Sequence, residues 1–205
     1  MTSHEVVHLV DDDESLRSAL QRLLTAAGYR VRTYASAGDF LLEPPADAPG
    51  CLLLDLHMPG PSGLDLQDAL KRHGVRLPVI FLTGHGDLST GVRAMKAGAV
   101  DFLTKPVERE TLFAAVAHAI EVDAAQRAAR SNHLDLQGRY AQLTQREREV
   151  LDLIVAGKLN KQIAGDLGVA ERTVKAQRAQ VMAKLGATNA AELGRIAEQL
   201  RERGT

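Results

Sequence analysis

Acidic side chains stand directly after short apolar runs in this chain, in an arrangement suited to binding a cation or a phosphate. Asp11 and Asp12 follow the run VVHLV, and Asp55 ends the run CLLLD. Thr83 ends PVIFLT, and Lys105 follows VDFLT. Three carboxylates gathered at one place raise one another's pKa values unless a cation stands among them. Oxygen ligands of this kind suit Mg²⁺, and a lysine and a hydroxyl complement a phosphoryl group.

Apolar runs and amphipathic stretches alternate through the first 122 residues and must position these side chains. The apolar runs predict strands at 6–10, 29–34, 51–55, 78–83 and 100–104. The amphipathic stretches predict helices at 14–27, 36–42, 63–73, 87–97 and 108–122, with Gly28 and Gly98 as stops and Asp87 as an N-cap. Five such units indicate α/β architecture, a doubly wound five-stranded parallel sheet. Because sites in such sheets form beyond the carboxyl ends of the strands, all five side chains are expected at one edge.

A change of composition follows this region. Residues 123–141 are rich in Ala, Gln and Arg, which favour helix. They predict a linker that extends the fifth helix until the sequence SNH (131–133) breaks it.

The remainder, residues 142–205, predicts a small all-α domain of four short helices. Thr144 and Glu147 have the spacing of a capping box at the first of these helices, and Gly157 follows its end. The pair of helices around DLGV (166–169) has the length and the central glycine of a helix-turn-helix.

Charge is divided between the two halves of the chain. Residues 1–122 contain 16 Asp and Glu against 11 Lys and Arg, whereas residues 123–205 contain 10 against 14. An acidic half joined to a basic half indicates two domains with different partners, and the basic half is the one expected to bind nucleic acid. The only cysteine, Cys51, lies in an apolar run, and no run approaches the length of a membrane span. We therefore expect a reduced, cytoplasmic, soluble protein without a membrane partner.

The motifs LVDDDE, LLLDLHMPGPSG, FLTGHGD and DFLTKPV resemble the receiver domain of bacterial two-component response regulators. The segment LTQREREVLDLIVAGKLNKQIAGDLGVAERTVKAQRAQVMAKLG is similar to a LuxR-type DNA-binding domain. In order and position they resemble the FixJ/NarL group. The resemblance implies a flavodoxin-like receiver over 1–122, a helical linker over 123–141 and a LuxR-type helix-turn-helix domain over 142–205.

The resemblance implies that Asp55 is the phosphoacceptor, which attacks the phosphohistidine of a sensor histidine kinase to form an acyl phosphate. Asp11 and Asp12 would hold Mg²⁺ together with Asp55 and the backbone carbonyl of His57. The metal would neutralise charge on the transferred phosphoryl oxygens.

Four further receiver residues take roles from the same resemblance. Lys105 would pair with the phosphoryl group, held in place by a cis peptide bond before Pro106. Thr83 would donate its hydroxyl to that group and swing inward as Phe102 turns from exposed to buried, which makes these two residues the switch.

The helix ERTVKAQRAQVMAKL is expected to bury Val174, Val181 and Leu185 and to present a basic and small-residue face on its other side, formed by Arg172, Lys175, Ala176, Ala179 and Ala183. Such a face can approach DNA closely. By resemblance it is the recognition helix in the major groove. Lys175, Ala176 and Ala179 would face base edges, and Thr173, Arg178 and Lys161 would contact phosphates. Many relatives have His at the position of Gln177, which leaves its contact open.

The implied function is that of a transcription regulator of a two-component system, rather than a turnover enzyme, although its receiver would catalyse its own phosphoryl transfer and slow dephosphorylation. Phosphorylation would favour a homodimer on double-stranded promoter DNA, with residues 92–116 as the interface and RNA polymerase as a further partner. Three alternatives stay open. They are a small-molecule phosphatase or phosphotransferase, a regulator that binds DNA regardless of phosphorylation, and a receiver whose output domain binds RNA or protein.

Overall fold

Five parallel strands form one sheet, in the order β2-β1-β3-β4-β5. The computed structural model describes residues 5–43, 48–84 and 88–201. Within these ranges the strands are β1 Val6–Val10, β2 Arg30–Tyr34, β3 Gly50–Asp55, β4 Val79–Thr83 and β5 Asp101–Thr104. The three central strands are buried along their whole length, as expected for continuous apolar runs covered on both faces. The edge strand β2 alternates exposed and half-buried residues before the buried Tyr34.

Helices cover both faces of this sheet and give it two cores. They are α1 Glu14–Ala26, α2 Ala37–Leu42, α3 Gly63–Arg72, α4 Leu88–Lys96 and α5 Arg109–Ala141. One core packs Leu24 of α1 and Val116 of α5 against the strands. The other packs Phe40 of α2, Leu66 of α3 and Ala94 of α4 against the opposite face. The predicted doubly wound α/β fold is therefore confirmed. The helix stops at Gly28 and Gly98 are also observed, with positive φ at both, whereas the predicted N-cap Asp87 lies outside the described residues.

The fifth helix differs from the expectation. It continues without interruption from Arg109 to Ala141, so the break expected at residues 131–133 is wrong. Ser, Asn and His each cost only a few tenths of a kcal/mol relative to the best helix formers, and tertiary packing overrides such preferences. Here Leu136 and Tyr140, further along the same helix, pack against an apolar core of the C-terminal helices.

The chain divides into two compact units, Met1–Gln126 and Arg127–Thr205. Asp123 belongs to the first of them. Its carboxylate is fully buried and its Oδ2 accepts a hydrogen bond of 3.0 Å from the backbone amide of Gly50. This contact ties α5 to the amino end of β3.

The second unit contains four further helices, α6 Gln145–Val155, α7 Asn160–Leu167, α8 Glu171–Leu185 and α9 Ala190–Arg201. The predicted capping box is present, because Thr144 Oγ1 accepts from the Glu147 amide and the Glu147 carboxylate accepts from the Thr144 amide. The predicted stripe of Val174, Val181 and Leu185 on α8 is buried.

The turn between α7 and α8 depends on a glycine. Gly168 has φ +65°, in the left-handed region, and its amide donates back to the last turn of α7. This turn closes the predicted helix-turn-helix, and other residues rarely adopt that conformation. Within the described part of the chain, no helix is long and apolar enough to cross a membrane.

A histidine is buried in the first core strand. His8 of β1 is 2 % exposed, and its Nδ1 lies 3.2 Å from the hydroxyl of Tyr34. Its ring also packs edge-on against Phe40. Burial, with a smaller contribution from the cation of Arg32, lowers the pKa of His8 from 6.5 to about 4.

The buried His8 should make the stability of the first unit depend on pH. Below pH 6.5 the unfolded chain binds the proton more readily than the folded chain. Stability present above pH 6.5 is therefore lost as the pH falls towards about 4, by an amount on the order of 3 kcal/mol. Urea denaturation of the full chain between pH 7.5 and 4.5 should show this loss, and His8→Leu should reduce it. His73→Leu, at an exposed histidine, should retain it, and equal pH dependence in all three proteins would contradict the expectation.

Candidate functional site

Three carboxylates meet at the carboxyl edge of the sheet, as the sequence predicts. Asp11 and Asp12 follow β1, and Asp55 is the last residue of the neighbouring strand β3. One oxygen from each carboxylate lies within 4.8 Å of the others. Asp11 and Asp55 are buried, at 0 % and 5 % exposed, whereas Asp12 is exposed. The cluster is thus buried on one side and open to solvent on the other.

One ammonium group bridges the two buried carboxylates of this cluster. Lys105 Nζ lies 2.7 Å from Asp11 Oδ2 and 2.8 Å from Asp55 Oδ2. Lys105 follows β5 directly, and its backbone amide donates to the carbonyl of Thr83 over 2.6 Å. The peptide bond between Lys105 and Pro106 is cis, the conformation that the resemblance implies.

The electrostatics of the site follow from this burial. Desolvation raises the pKa of Asp11 above its ordinary value, although the hydrogen bond from Lys105 opposes the rise. Burial alone would lower the pKa of Lys105, but its hydrogen bonds to Asp11 and Asp55 raise it. The lysine is therefore held in its charged form, as a bridge between the two carboxylates.

The remaining oxygens of the buried carboxylates face backbone amides. Asp11 Oδ1 accepts from the amide of Asp13 at 2.9 Å, and Asp55 Oδ1 accepts from the amide of His57 at 3.2 Å. Arg17 donates to the backbone carbonyl of Asp11 at 2.6 Å. Sequence reasoning missed the contact from Arg17, whereas it interprets Asp13 as an acid at the start of α1 and not as a metal ligand. Asp13 also caps α1, and an acid just before an amphipathic helix is a recognisable signal for that position.

The donor set of this cluster suits a hard divalent cation. It consists of carboxylate oxygens, and the exposed Asp12 leaves an approach from solvent. Hard cations such as Mg²⁺ prefer oxygen ligands and keep some of their waters, which an open edge permits. The cluster could therefore hold a metal ion. The ammonium of Lys105 contacts two of the same carboxylates.

Thr83 and Phe102 lie on the two strands beside this cluster. Thr83 ends β4, is fully buried and pairs in register with Thr104. Phe102 is half-buried in β5, and its ring packs against Gly91 of α4, where an added Cβ would lie 3.2 Å from it. The ring thus links β5 to α4. His85, the histidine of the motif FLTGHGD, lies outside the described residues.

The second unit presents the predicted recognition surface on α8. Lys175, Ala176 and Ala179 are exposed, as are Thr173 and Lys161 of the flanking positions. On α8, Lys175, Ala176 and Ala179 lie outside the buried stripe, and Lys175 makes an ion pair of 3.6 Å with Glu171 one turn earlier.

Arg178 and Gln177 are held differently from the exposed positions of α8. The Arg178 guanidinium is half-buried and lies 3.2 Å from Asn160 Oδ1, which joins α8 to the start of α7. The side-chain oxygen of Gln177 is buried, with no hydrogen-bond partner among the described residues.

A parallel five-stranded sheet with this acidic edge, followed by a helix-turn-helix, defines a receiver domain joined to a DNA-binding output domain. Residues 7–117 match the response regulator receiver domain family, and residues 141–197 match the LuxR family of bacterial regulatory proteins. The chain belongs to the two-component response regulators that combine these two domains, as in the FixJ/NarL group.

Several relatives match nearly the whole length of the chain. Nodulation protein W of Bradyrhizobium diazoefficiens is 43% identical over 195 residues, covering 95% of this chain and 86% of the relative. Transcriptional regulatory protein FixJ of Rhizobium meliloti is 43% identical over 191 residues, covering 93% of this chain and 94% of the relative. The solved structure of response regulator StyR is 43% identical, with a TM-score of 0.83 and coverage of 96% of this chain and 100% of that structure.

Replacing the bridging lysine should change how the acidic cluster binds a cation. In Lys105→Met, Asp11 and Asp55 lose their ammonium partner, so Mg²⁺ should bind more tightly, by roughly threefold or more. Isothermal titration of Mg²⁺ into wild-type and variant protein measures this. Lys96→Met, at an exposed lysine of α4, serves as the charge-matched control and should resemble wild type. Unchanged or weaker binding in Lys105→Met would show that the ammonium does not compete with the cation.

Proposed function

We propose that this protein is a phosphorylation-dependent transcription regulator, in which Asp55 accepts a phosphoryl group from a sensor histidine kinase. The observation that carries the proposal is the bridge from Lys105 to both Asp11 and Asp55 at the open edge of the sheet. An acceptor carboxylate, a cation beside it and further oxygen ligands are the parts that phosphoryl transfer requires.

In the proposed reaction an oxygen of Asp55 attacks the phosphorus of a kinase phosphohistidine. The new O–P bond gives an acyl phosphate, while the P–N bond breaks and the imidazole leaves with its electron pair and takes up a proton. Lys105, already within hydrogen-bond distance of Asp55, pairs with the transferred phosphoryl group. Mg²⁺, when held by Asp11, Asp12, Asp55 and the carbonyl of His57, supplies positive charge for the phosphoryl oxygens.

The proposed output follows from the receiver's change of state. Thr83 donates its hydroxyl to the acyl phosphate, and Phe102 moves with it against α4. The exposed side chains of Val92 and Met95 on α4, each 46 % exposed, support residues 92–116 as a dimer surface. The dimer then presents two copies of α8 to promoter DNA, where RNA polymerase is the further partner. We place this regulator in the bacterial cytoplasm.

The functional division that we propose assigns residues 1–122 to the receiver, 123–141 to the linker and 142–205 to DNA binding. On α8, Lys175, Ala176 and Ala179 face base edges, because they are exposed and lie away from the buried stripe. Thr173, Arg178 and Lys161 contact phosphates. The exposed Lys161 stands beside Asn160, the residue that Arg178 contacts, which places two cations near the start of α7.

Phosphorylation gives the first direct test. Wild-type protein incubated with acetyl phosphate and Mg²⁺ should gain one phosphoryl group by intact mass and should shift to a dimer in native sizing. Asp55→Asn keeps the shape of the side chain but lacks the nucleophile, so it should gain none. Omitting Mg²⁺ should also abolish the gain.

Asp68→Asn, at an exposed carboxylate of α3, is the matched control and should be phosphorylated like wild type. A gain of mass that persists in Asp55→Asn would overturn the assignment of the acceptor. If neither acetyl phosphate nor a panel of histidine kinases labels wild type, the regulator acts without phosphorylation.

Lys175 gives the test of the DNA-binding surface. A fluorescent duplex enriched by the wild-type protein from a random library serves as the probe for anisotropy titration. Lys175→Ala should weaken binding by about tenfold, the loss expected for one base contact. Arg30→Ala, which removes a positive charge from the edge strand β2, should bind like wild type. Equal affinity for Lys175→Ala would remove this residue from the interface.

A further inference from the structure

One ammonium group joins three segments of the second unit. Lys184 of α8 places its Nζ 2.6 Å from Glu147 Oε2 in α6 and 3.2 Å from the carbonyl oxygen of Gln142, which follows α5. Glu147 is 4 % exposed, and the same Oε2 accepts from the amide of Thr144 at 2.7 Å. The hydrogen bond from Lys184, together with that from Thr144, holds the pKa of Glu147 below its ordinary value. The carboxylate of Glu147 is therefore buried in its charged form, and Lys184 is the cation that stabilises this charge.

A second cation reaches the same end of α8. Gly186 ends this helix with φ +71°, and the Arg139 guanidinium lies so close that an added Cβ would stand 2.5 Å from its Nη1. Arg139 is itself held by an ion pair of 2.9 Å with Asp135. Cations beside a helix C-terminus are favoured by the helix dipole. We call the group formed by Arg139, Gln142, Glu147 and Lys184 the α8 clamp.

Lys184 of the α8 clamp lies on the opposite side of the helix from Lys175, the proposed base contact, and more than two turns after Thr173. Lys184 is nine residues after Lys175, which at about 3.6 residues per turn places it half a turn around the helix. Its ammonium is also engaged by two acceptors. Lys184 therefore binds α8 to α6 and to Gln142, whereas Lys175 lies on the opposite, exposed side of the helix.

The rest of α8 offers few other attachments. Its buried residues are Val174, Val181 and Leu185, and Ala170 at its N-cap provides no side-chain hydrogen bond. Its outward side chains are largely exposed. The rotation and axial position of the helix thus depend on a narrow apolar stripe, on the hydrogen bond from Arg178 to Asn160, and on the polar contacts at its C-terminal end.

We propose that Lys184 is a positioning residue for DNA recognition, which fixes α8 against α6 and the end of α5 without touching DNA. The inference rests on the proposed function, since it gives the α8 clamp a role in presenting that helix. Through Arg139 and Gln142, the last turn of α5 and the residue after it also help to position α8.

The salt dependence of DNA binding separates positioning from contact. A lysine that contacts a phosphate displaces a counterion from the DNA. Its loss therefore makes the negative slope of log affinity against log salt less steep, by about one unit. A positioning lysine changes affinity and leaves that slope unchanged. Full-length Lys184→Met should therefore bind the enriched duplex about tenfold more weakly, with the wild-type slope, because the buried carboxylate of Glu147 loses its cation and keeps only its hydrogen bonds from Thr144. Lys161→Met, at a proposed phosphate contact, should make the slope less steep.

Two further variants guard against a loss of folding. Lys184→Arg keeps a cation at this place and should bind within about threefold of wild type. In the double variant Lys184→Met/Glu147→Gln, the uncompensated charge is gone, so its loss of affinity should be smaller than the product of the two single losses. Arg201→Met, at an exposed arginine of α9, controls for net charge, and circular dichroism at the binding temperature confirms that each variant is folded.

Distinct outcomes would overturn distinct claims. Wild-type affinity in folded Lys184→Met, or a slope less steep by a full unit, would overturn the positioning role. Strictly multiplicative losses in the double variant would show that Lys184 and Glu147 do not act together, and would overturn it as well. Failure of the wild-type protein to enrich any duplex would instead contradict the proposed function itself.

Discussion

The pairing of one lysine with two buried carboxylates is the interaction on which the functional edge of the sheet depends. Asp11 and Asp55 come from adjacent strands, whereas Lys105 follows β5, which β4 separates from β3. Its side chain must therefore reach across the end of β4, where Thr83 lies. Only a parallel sheet brings these three strand ends to the same edge, and only a long cationic side chain spans the intervening strand. The order and the parallel direction of the strands thus bring the three residues of the site together.

The same physical device occurs twice in the chain, with different consequences. In both units a lysine ammonium pairs with a buried carboxylate and joins segments distant in sequence. At the sheet edge the exposed Asp12 stands beside the pair and keeps the site open to a ligand. In the α8 clamp, Glu147 also accepts from the Thr144 amide, and Lys184 also donates to the Gln142 carbonyl. The first pair is open to exchange its partners, whereas the second holds a structure in place.

Sequence alone predicts the elements whose signals are local or periodic. Continuous apolar runs define β1, β3 and β4, and because carboxyl ends of parallel strands share one edge, Asp11, Asp55 and Lys105 could be placed together. The capping box of Thr144 and Glu147 is visible because its two residues are only three positions apart.

The features that sequence misses depend on distant contacts. The full length of α5 is set by the packing of Leu136 and Tyr140 and not by the propensity of residues 131–133. The pair of Lys184 and Glu147 joins positions 37 apart, and a polar contact at such a separation leaves no periodic trace. Sequence therefore predicts the elements in which apolar residues recur at a regular spacing. It does not predict polar contacts between residues that are distant in the chain.

The packing of Phe102 on Gly91 gives the proposed switch a mechanical route to the surface of the receiver. An added Cβ at Gly91 would lie 3.2 Å from the ring, so the helix and the ring fit without spare room. A close-packed contact of this kind transmits displacement rather than absorbing it. If Phe102 turns as Thr83 engages the acyl phosphate, α4 must respond, and α4 carries the exposed Val92 and Met95. A glycine at this position lets the ring approach the helix, and the proposed coupling would depend on that close approach.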